Sequence, residues 1–247
     1  MKKNKIFYLI YDNVKTLIGA LIIAVLIRSL LFQPFYIPSS SMEPTLLVGD
    51  RIFVSKYIYG YSKHSFPFSP NITNDRFFSK LPKRGDLVVF KTPADNRTDY
   101  IKRLIGMPGD TIQFIDGSIQ INNKKILRKK TDSKKIIRCG NFLLQTDIFM
   151  ETLPNGIEHL VAYKKNGSLQ NTKIFKVPAN HYFLLGDNRD CSSDSRYLAS
   201  VGFVPEVNLV GKARFVFFSN DTYQSSVLKF WNWSESFRFN RTFSKLK

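Results

Sequence analysis

The sequence predicts a mainly β protein, in which an antiparallel sheet body follows one N-terminal transmembrane helix. Two observations predict it: a series of short β-type runs separated by turn residues, and a single long apolar run close to the N-terminus. With 247 residues, 43% of them hydrophobic, the chain can bury a large core, which excludes intrinsic disorder. Its two cysteines exclude a disulfide-dense mini-protein, and its single apolar run excludes a polytopic transporter.

The apolar run covers residues 16–32, and Arg28 is its only charged residue. Adding residues 33–35 brings it to the roughly 20 residues that cross a bilayer, and Arg28 lies close enough to the far end to reach the head groups. Because several lysines precede the run, we predict that the N-terminus is cytoplasmic and that the rest of the chain is exported. The predicted divisions are a basic cytoplasmic tail at 1–15, an anchor at 16–35 and an exported body at 36–247.

The apolar run also has two other interpretations, a cleaved signal peptide and a core helix. A basic segment before a short apolar segment also begins a cleaved signal peptide, but the residues at 33–36 are bulky where a cleavage site needs small ones. Bulky aromatic residues are typical of a membrane interface. A core helix is the third interpretation, and the run is longer than most core helices. We therefore favour an anchor that stays in the mature chain.

After the anchor, the chain loses helical periodicity and consists of short runs rich in Val, Ile, Leu and Phe. Turn signals such as residues 108–110 (PGD) and 186–188 (GDN) separate the runs, as is typical of antiparallel β proteins. The Asp-Gly pair at 116–117 stands between two alternating runs and predicts a hairpin. The predicted strands are 51–55, 86–90, 111–115, 118–121, 182–185 and 213–218.

Two segments depart from this pattern. Residues 57–83 are rich in aromatic residues, Ser, Pro and Asn, and form either a membrane-touching loop or an ordinary surface loop. The C-terminal tail, 221–247, mixes aromatic residues such as Trp231 and Trp233 with cations, a composition that suits a membrane interface. We divide the body into a core at 36–121 and 177–220, an inserted basic β region at about 122–176, and this tail.

The chain carries a formal net charge of +18. Part of the excess lies at residues 122–138, which contain eight basic residues and one acidic residue. Such a charge suits nucleic acid, anionic lipid or another acidic partner, although a run of like charges is most often a solvated surface. We expect no nucleic acid partner, and we expect the basic body to be attracted to anionic lipid head groups.

A serine cluster follows the anchor directly, in residues 38–46 (PSSSMEPTL). A serine nucleophile needs a base, because its free hydroxyl is almost wholly protonated. His64, His159 and His181 lie in no segment that resembles an orienting site, and we interpret them as surface or packing residues. Without another base, the cluster would be an ordinary loop.

Residues 99–110 offer a lysine as that base. Successive side chains of a strand alternate between its faces, so Tyr100 and Lys102 share one face and Arg103 lies on the other. One of the two adjacent cations can then be buried while its neighbour stays solvated. Burial disfavours the ammonium form, and a sufficiently buried lysine is neutral near working pH.

In combination, these segments resemble the bacterial type I signal peptidases, the membrane-bound serine-lysine endoproteases that remove signal peptides. Residues 38–50 (PSSSMEPTLLVGD) are similar to the family's nucleophile motif, and residues 100–110 (YIKRLIGMPGD) to its lysine motif. Residues 186–196 (GDNRDCSSDSR) are similar to its third motif, and further similarity runs through 202–205 and 210–213. The resemblance covers the chain from the anchor to the last predicted strand.

Carried over residue by residue, the resemblance implies that Ser41 is the nucleophile and Lys102 the general base. Ser39 and the backbone N–H of Ser41 would hold the oxyanion, and Ser192 would orient the lysine. The residues we expect to support the site are Asp187, Arg189, Asp194 and Arg196, with Tyr100 on the strand face of Lys102.

Two residues depart from the family pattern. Ser40 stands where many members carry Gly, and Cys191 stands where Asn is frequent. Neither change removes a catalytic group. Cys139 and Cys191 either pair in an oxidising compartment or remain two isolated thiols, because their spacing alone does not place them within bonding distance.

The resemblance implies the signal-peptidase and LexA-type β fold, and a hydrolase that removes signal peptides from exported preproteins after Ala-x-Ala-type sites. It also implies a single-pass protein of the bacterial inner membrane, with the catalytic body on the periplasmic or extracytoplasmic side. We expect no cofactor and no metal, because no Cys/His set has ligand spacing. The alternatives are a dedicated serine-lysine processing peptidase for one secretion or conjugation substrate, and a membrane-tethered basic binding module.

Overall fold

The computed structural model describes residues 2–71, 73, 75–140, 142–164, 170–221 and 236–246 of the chain. Helix α1 (Lys2–Leu30) precedes a body built mainly of antiparallel strands, which confirms the predicted fold class. The strands are β1 (Phe32–Tyr36), β2 (Asp50–Ser55), β3 (Leu87–Lys91), β4 (Asp99–Gly106), β5 (Thr111–Ile115), β6 (Ser118–Ile121), β7 (Lys124–Lys125), β8 (Leu127–Cys139), β9 (Phe142–Thr152), β10 (Glu158–Lys164), β11 (Phe175–Lys176), β12 (His181–Leu185), β13 (Val204–Pro205) and β14 (Leu209–Ser219).

Helix α1 contains a 21-residue stretch, Ile10–Leu30, that is long and apolar enough to cross a membrane. The helix differs from the predicted anchor at both ends, because it begins at Lys2 and ends at Leu30. The residues that the sequence assigned to the end of the anchor form strand β1 instead. Pro34 explains this, since proline cannot continue a helix and is tolerated on the edge strand of a sheet, which β1 is.

Hydrogen bonds fix the end of α1 to the body. The Tyr61 hydroxyl donates to the carbonyl of Leu30 at 2.9 Å, and the N–H of Lys56 donates to the carbonyl of Leu31 at 3.0 Å. Strand β1 begins two residues after the helix and pairs along its whole length with β2. The apolar helix therefore continues directly into the sheet, with no linker between them.

A seven-stranded antiparallel sheet forms the centre of the body, in the order β1-β2-β14-β3-β4-β12-β13. Its strand β3 is buried on both faces: Leu87 and Val89 lie in one apolar cluster, and Val88 and Phe90 lie in another. Because alternate side chains of a strand point to opposite faces, this continuous apolar run can serve two cores at once.

Two smaller sheets complete the body. The predicted hairpin joins β5 to β6, where Ile115 pairs with Ser118, and these strands belong to a sheet in the order β11-β5-β6-β7. The third sheet has the order β10-β9-β8. Its outer strand β8 carries much of the basic run, and most of its side chains are exposed, as expected for a solvated charged surface.

The six strands predicted from the sequence correspond to β2, β3, β5, β6, β12 and β14, with small differences at their ends. The aromatic segment at 57–83 contains a short 3-10 helix, Lys63–Ser65, and exposes the rings of Phe68 and Phe78. Trp231 and Trp233 of the predicted tail lie outside the described residues.

Candidate active site

Ser41 lies in a short 3-10 helix, Ser40–Met42, in the segment that joins β1 to β2. Met42 is fully buried in an apolar cluster of the seven-stranded sheet, together with Leu46. The N–H of Leu46 donates to the carbonyl of Met42 at 2.9 Å, which closes the turn. These contacts fix the backbone at Ser41, whose side chain lines a cleft.

Lys102 lies on β4, opposite Val88 of β3, and is 4% exposed. Its Nζ is 2.7 Å from the Oγ of Ser41, so the structure brings together the predicted base and nucleophile. The ring centroid of Tyr100, on the same strand face, lies 5.4 Å from this Nζ. Within the described ranges, no carboxylate forms an ion pair with Lys102.

This environment favours the neutral form of Lys102, which can accept a proton. Burial lowers the pKa of Lys102 to about 8, although the nearby charges of Asp194 and Asp187 act in the opposite sense. An unperturbed lysine has a pKa of about 10.4. A pKa of about 8 leaves roughly a tenth of the side chain neutral at pH 7, compared with less than about one part in a thousand for an exposed lysine.

The cleft beside this pair has a volume of about 320 Å³. Two backbone segments border it, residues 35–39 and 98–102, and apolar side chains such as Ile37 and Val89 line it. Ser39 stands at its edge with an exposed side chain, and its Oγ is 3.3 Å from the Oγ of Ser41. The cleft therefore presents two hydroxyls and one amine beside a mostly apolar wall.

Gly186 brings the third motif against Ser41, the predicted nucleophile. A Cβ at this position would lie 2.2 Å from the Oγ of Ser192 and 2.5 Å from the carbonyl oxygen of Ser41, so only glycine fits here. Asn188, two residues later, also bonds to the loop that carries Ser41. Its backbone N–H donates to the carbonyl of Ser41 at 3.1 Å, and its side-chain amide donates to the carbonyl of Ser40 at 3.2 Å. Asn188 lies within the motif but was assigned no role from the sequence.

Ser192 is buried close to this turn. Its hydroxyl forms no hydrogen bond within the described part of the chain. It therefore makes no direct bond to Lys102 in this structure, and its orienting role remains a prediction.

Arg103 corrects one expectation from the sequence. Both adjacent cations of β4 are buried, since Arg103 is fully buried although it points to the opposite face from Lys102. Its guanidinium donates to both carboxylate oxygens of Asp187, at 2.9 and 2.8 Å, and the hydroxyl of Thr45 donates to the same carboxylate at 2.6 Å. Burial alone would raise the pKa of Asp187, but the charge of Arg103 and the hydrogen bonds from Arg103 and Thr45 together hold the pKa below its usual value.

A second buried pair joins Asp194 to Arg196. The guanidinium of Arg196 contacts both oxygens of Asp194, at 2.7 and 2.8 Å, and the N–H of Gly186 donates to this carboxylate at 3.0 Å. Burial would raise the pKa of Asp194, but the charge of Arg196 and the hydrogen bonds from Arg196 and Gly186 together lower it below its usual value. This pair holds the backbone of the third motif at the point where it meets Ser41.

A third pair joins Arg189, one of the expected supporting residues, to Glu151, which the sequence did not assign. Arg189 donates to both carboxylate oxygens of Glu151 on β9, at 2.8 and 2.7 Å, and to the hydroxyl of Tyr163 at 2.7 Å. His159 is buried beside this pair, and burial lowers its pKa to about 4, so it is neutral at physiological pH. Nothing in the sequence near Glu151 signals its partner, which lies 38 residues away.

Cys139 and Cys191 form a disulfide, which settles the question that their spacing left open. Their Cα atoms are 5.7 Å apart, within the usual range for such a bond. Ser40 packs beside it, because its hydroxyl donates to the carbonyl of Arg138 at 2.5 Å and lies 3.6 Å from the Sγ of Cys191. The two departures from the family pattern thus occupy neighbouring positions, and they connect the end of β8 to the loops that carry Ser41 and Ser192.

Comparison with known families decides the identity of the fold and activity. Residues 10–218 match the family described as signal peptidase, peptidase S26. The chain belongs to this family. It is therefore a signal peptidase of the serine peptidase class, a hydrolase, and its N-terminal apolar helix is consistent with a membrane anchor.

Individual relatives agree with this assignment. The chain is 42% identical to the signal peptidase I of Rickettsia bellii, over 94% of this chain and 84% of the relative. It is 44% identical to that of Rickettsia conorii, over 91% of this chain and 88% of the relative. A crystal structure of a signal peptidase I from Enterococcus faecalis matches 54% of this chain and 97% of its own, with 29% identity and a TM-score of 0.32.

Among the described residues, no group of three or more His, Cys, Asp or Glu side chains is arranged to hold a metal ion.

Proposed function

We propose that Ser41 and Lys102 form the catalytic dyad of this signal peptidase. The observation that carries the proposal is the 2.7 Å contact between Lys102 Nζ and Ser41 Oγ in a buried site. No carboxylate in the described ranges pairs with Lys102, and burial lowers the pKa of its amine to about 8. A neutral amine at this distance can accept the hydroxyl proton directly.

The reaction then follows from acyl-transfer chemistry. Neutral Lys102 takes the proton of Ser41, and the Ser41 oxygen attacks the carbonyl carbon at the cleavage site. Protonated Lys102 gives its proton to the leaving amine as the peptide bond breaks. Water, deprotonated by the same lysine, hydrolyses the acyl-enzyme and frees Ser41.

The oxyanion of each tetrahedral intermediate would be held by the N–H of Ser41 and the hydroxyl of Ser39. The contact of 3.3 Å between the Ser39 and Ser41 hydroxyls supports this role, because it keeps Ser39 next to the attacking atom. Such a donor is worth about 3 kcal/mol of transition-state stabilisation.

The remaining residues would position this pair. The Arg103–Asp187 and Arg196–Asp194 pairs flank the turn at Gly186, which contacts Ser41. Arg189 also donates to the carbonyl of Gly186, at 3.1 Å. Tyr100 would keep Lys102 in place on its strand face, and Ser192 would orient the amine when substrate closes the cleft.

The substrate we propose is an exported preprotein with small residues, such as Ala, one and three positions before the cut. A cleft of about 320 Å³ between two backbone segments suits an extended peptide with small side chains. The direct connection from α1 to β1 would hold Ser41 close to the bilayer, where the apolar segment of a signal peptide would present its cleavage site.

We further propose a cytoplasmic N-terminus in the bacterial inner membrane, with the catalytic body on the extracytoplasmic side. The lysines before the apolar run support this orientation. The basic body would contact anionic lipid, and we propose no nucleic acid partner. We propose the same divisions of the chain as the sequence predicts, except that the helical part of the anchor ends at Leu30.

The test is cleavage of a preprotein-like peptide bearing an Ala-x-Ala site by the full chain in detergent. We expect Ser41→Ala and Lys102→Met each to lower kcat/KM by at least about 1,000-fold, because each removes a reacting group. The matched controls are Ser40→Ala, which removes the neighbouring hydroxyl, and Lys124→Met, which removes an exposed lysine. Both controls should stay within about tenfold of the unmodified chain, and equal losses in control and dyad variants would reject the dyad.

A further inference from the structure

A basic cavity of about 430 Å³ lies where the end of α1 meets the body. It adjoins the cleft of Ser41 and Lys102 through the shared residues Phe35 and Asp99, but neither Ser41 nor Lys102 lines it. Arg28 of the helix, Lys56 and Arg97 contribute cations to its wall. Asp99 is the only carboxylate among its described lining residues, and it already forms an ion pair with Lys91 at 2.9 Å. The cavity therefore carries a clear excess of positive charge.

Several hydrogen-bond donors in this cavity have no acceptor. The side chains of Arg28 and Arg97 form no hydrogen bond or ion pair within the described part of the chain. Lys56 is only 2% exposed, and its Nζ donates to the carbonyl of Ser65 at 2.6 Å, which uses one of its three N–H groups. A buried ammonium with unused donors is unfavourable, and a bound anion would remove that cost.

His64 adds a second buried polar group to the same wall. It is 4% exposed, its Nδ1 lies 3.0 Å from the Oγ of Ser69, and its Nε2 has no partner among the described residues. With Nδ1 accepting from the Ser69 hydroxyl, Nε2 carries a proton that it can donate to an anion.

We propose that this basic cavity binds the phosphate group of an anionic phospholipid. Arg28 would contact the phosphate from the helix, and Lys56 and Arg97 from the body. The neutral imidazole of His64 would supply a further hydrogen bond. Burial lowers the pKa of Lys56 to about 8, and a bound phosphate would raise it, which is the expected response of a site built for an anion.

The surroundings of the cavity favour a lipid over a free phosphate ion. Arg28 lies two residues before the end of the candidate membrane span, which is the depth of the head groups. A second, apolar cavity of about 500 Å³ also contains Arg28 and is lined by rings such as Phe53 and Phe215, so it can accept an acyl chain. Phe68, on the wall of the basic cavity, is fully exposed and suits the membrane interface.

This inference rests on the proposal that the body faces the bilayer, but it does not depend on the catalytic dyad. Cleavage of the model peptide therefore serves as a separate control for folding. A preparation that still cleaves but shows no lipid preference would reject the cavity alone and leave the proposed function intact.

The test is native mass spectrometry of the full chain in uncharged detergent micelles, titrated with phosphatidylglycerol or with phosphatidylcholine. We expect one phosphatidylglycerol to bind per chain, with an apparent Kd at least about tenfold below that of phosphatidylcholine. Arg97→Gln, which changes an exposed side chain, should raise this Kd by about tenfold, and Lys56→Met should raise it at least as much. The charge-matched control Lys124→Gln, on exposed strand β7, should leave it within about twofold.

Three results would overturn the proposal. Equal weakening by Lys124→Gln and Arg97→Gln would indicate diffuse attraction to the basic surface. Displacement of phosphatidylglycerol by inorganic phosphate at the same concentration would indicate a site for the free ion. An unchanged Kd in both cavity variants would show that the lipid binds elsewhere.

Discussion

Lys102 and Arg103 are neighbours on strand β4, and both are buried, but only Arg103 has a carboxylate partner. The guanidinium of Arg103 donates hydrogen bonds to both carboxylate oxygens of Asp187. Lys102 instead donates to the hydroxyl of Ser41, and no carboxylate of the described residues pairs with it. A buried cation that is paired with a carboxylate supports the fold. A buried lysine without a carboxylate tends to lose its proton. One strand thus supplies both a structural cation and a candidate base.

The same contrast extends to the surrounding residues. Three buried arginine-carboxylate pairs lie around the third motif, and all three are bidentate. They hold the loops that meet at Ser41 without touching its hydroxyl. Ser41 and Lys102 bond to each other and to no carboxylate of the described residues, while the surrounding pairs fix the loops that carry them. Rigid support of this kind can position reacting side chains to within a fraction of an ångström.

Breaking one buried pair should have the largest effect on stability. Asp187→Ala removes the partner of Arg103, and we expect the free energy of unfolding to fall by about 3–5 kcal/mol because a buried charge is left unpaired. Denaturant unfolding of the detergent-solubilised chain measures it. The control Asp132→Ala, on the exposed part of β8, should change stability by less than about 0.5 kcal/mol. A similar small change for Asp187→Ala would mean that the pair does not support the fold.

A substitution at Gly186, where the third motif contacts Ser41, should mainly affect the rate of peptide cleavage. Gly186→Ala places a Cβ 2.5 Å from the carbonyl oxygen of Ser41, and the nucleophile must shift to accommodate it. We expect kcat/KM to fall by about 100-fold, equivalent to about 2.7 kcal/mol, since small displacements of reacting groups are costly. Gly19→Ala is the control, because nothing lies within 4 Å of a Cβ there. Full activity of Gly186→Ala would contradict the observed packing.

Removing the charge of Lys102 should stabilise the fold, whereas removing Asp187 should destabilise it. Lys102→Met keeps the side-chain volume but removes an ammonium that is costly to bury, so the free energy of unfolding at pH 7 should rise by about 1–3 kcal/mol. Denaturant unfolding of the variant beside the unmodified chain measures this change. A marked loss of stability would show that Lys102 supports the fold as Arg103 does, and the contrast between them would be lost.

The sequence predicted features that depend on neighbouring residues. Alternation and turn residues predicted strands such as β5 and β6, because these signals are local. Ser41 and Lys102 were predicted because each lies in a contiguous motif. The end of the helix was placed too late, although Pro34 was a visible signal that it should stop earlier.

Features that depend on distant residues were not predicted. Arg103 is buried because Asp187, 84 residues away, neutralises it, and strand alternation alone contains no such information. Glu151 reaches Arg189 only after β9 has folded against the third motif. The disulfide between Cys139 and Cys191 likewise required the fold to bring two distant loops together.

The pH dependence of kcat/KM tests most directly whether Lys102 is the base. Because the amine acts only when neutral, the account predicts that kcat/KM rises about tenfold per pH unit below a midpoint of about 8 and levels off above it. Burial also lowers the pKa of Lys56 to about 8, so the profile must be repeated in Lys56→Met, where the midpoint should not move. A flat profile from pH 5 to 9, or a midpoint that moves in Lys56→Met, would contradict the assignment of Lys102 as the base.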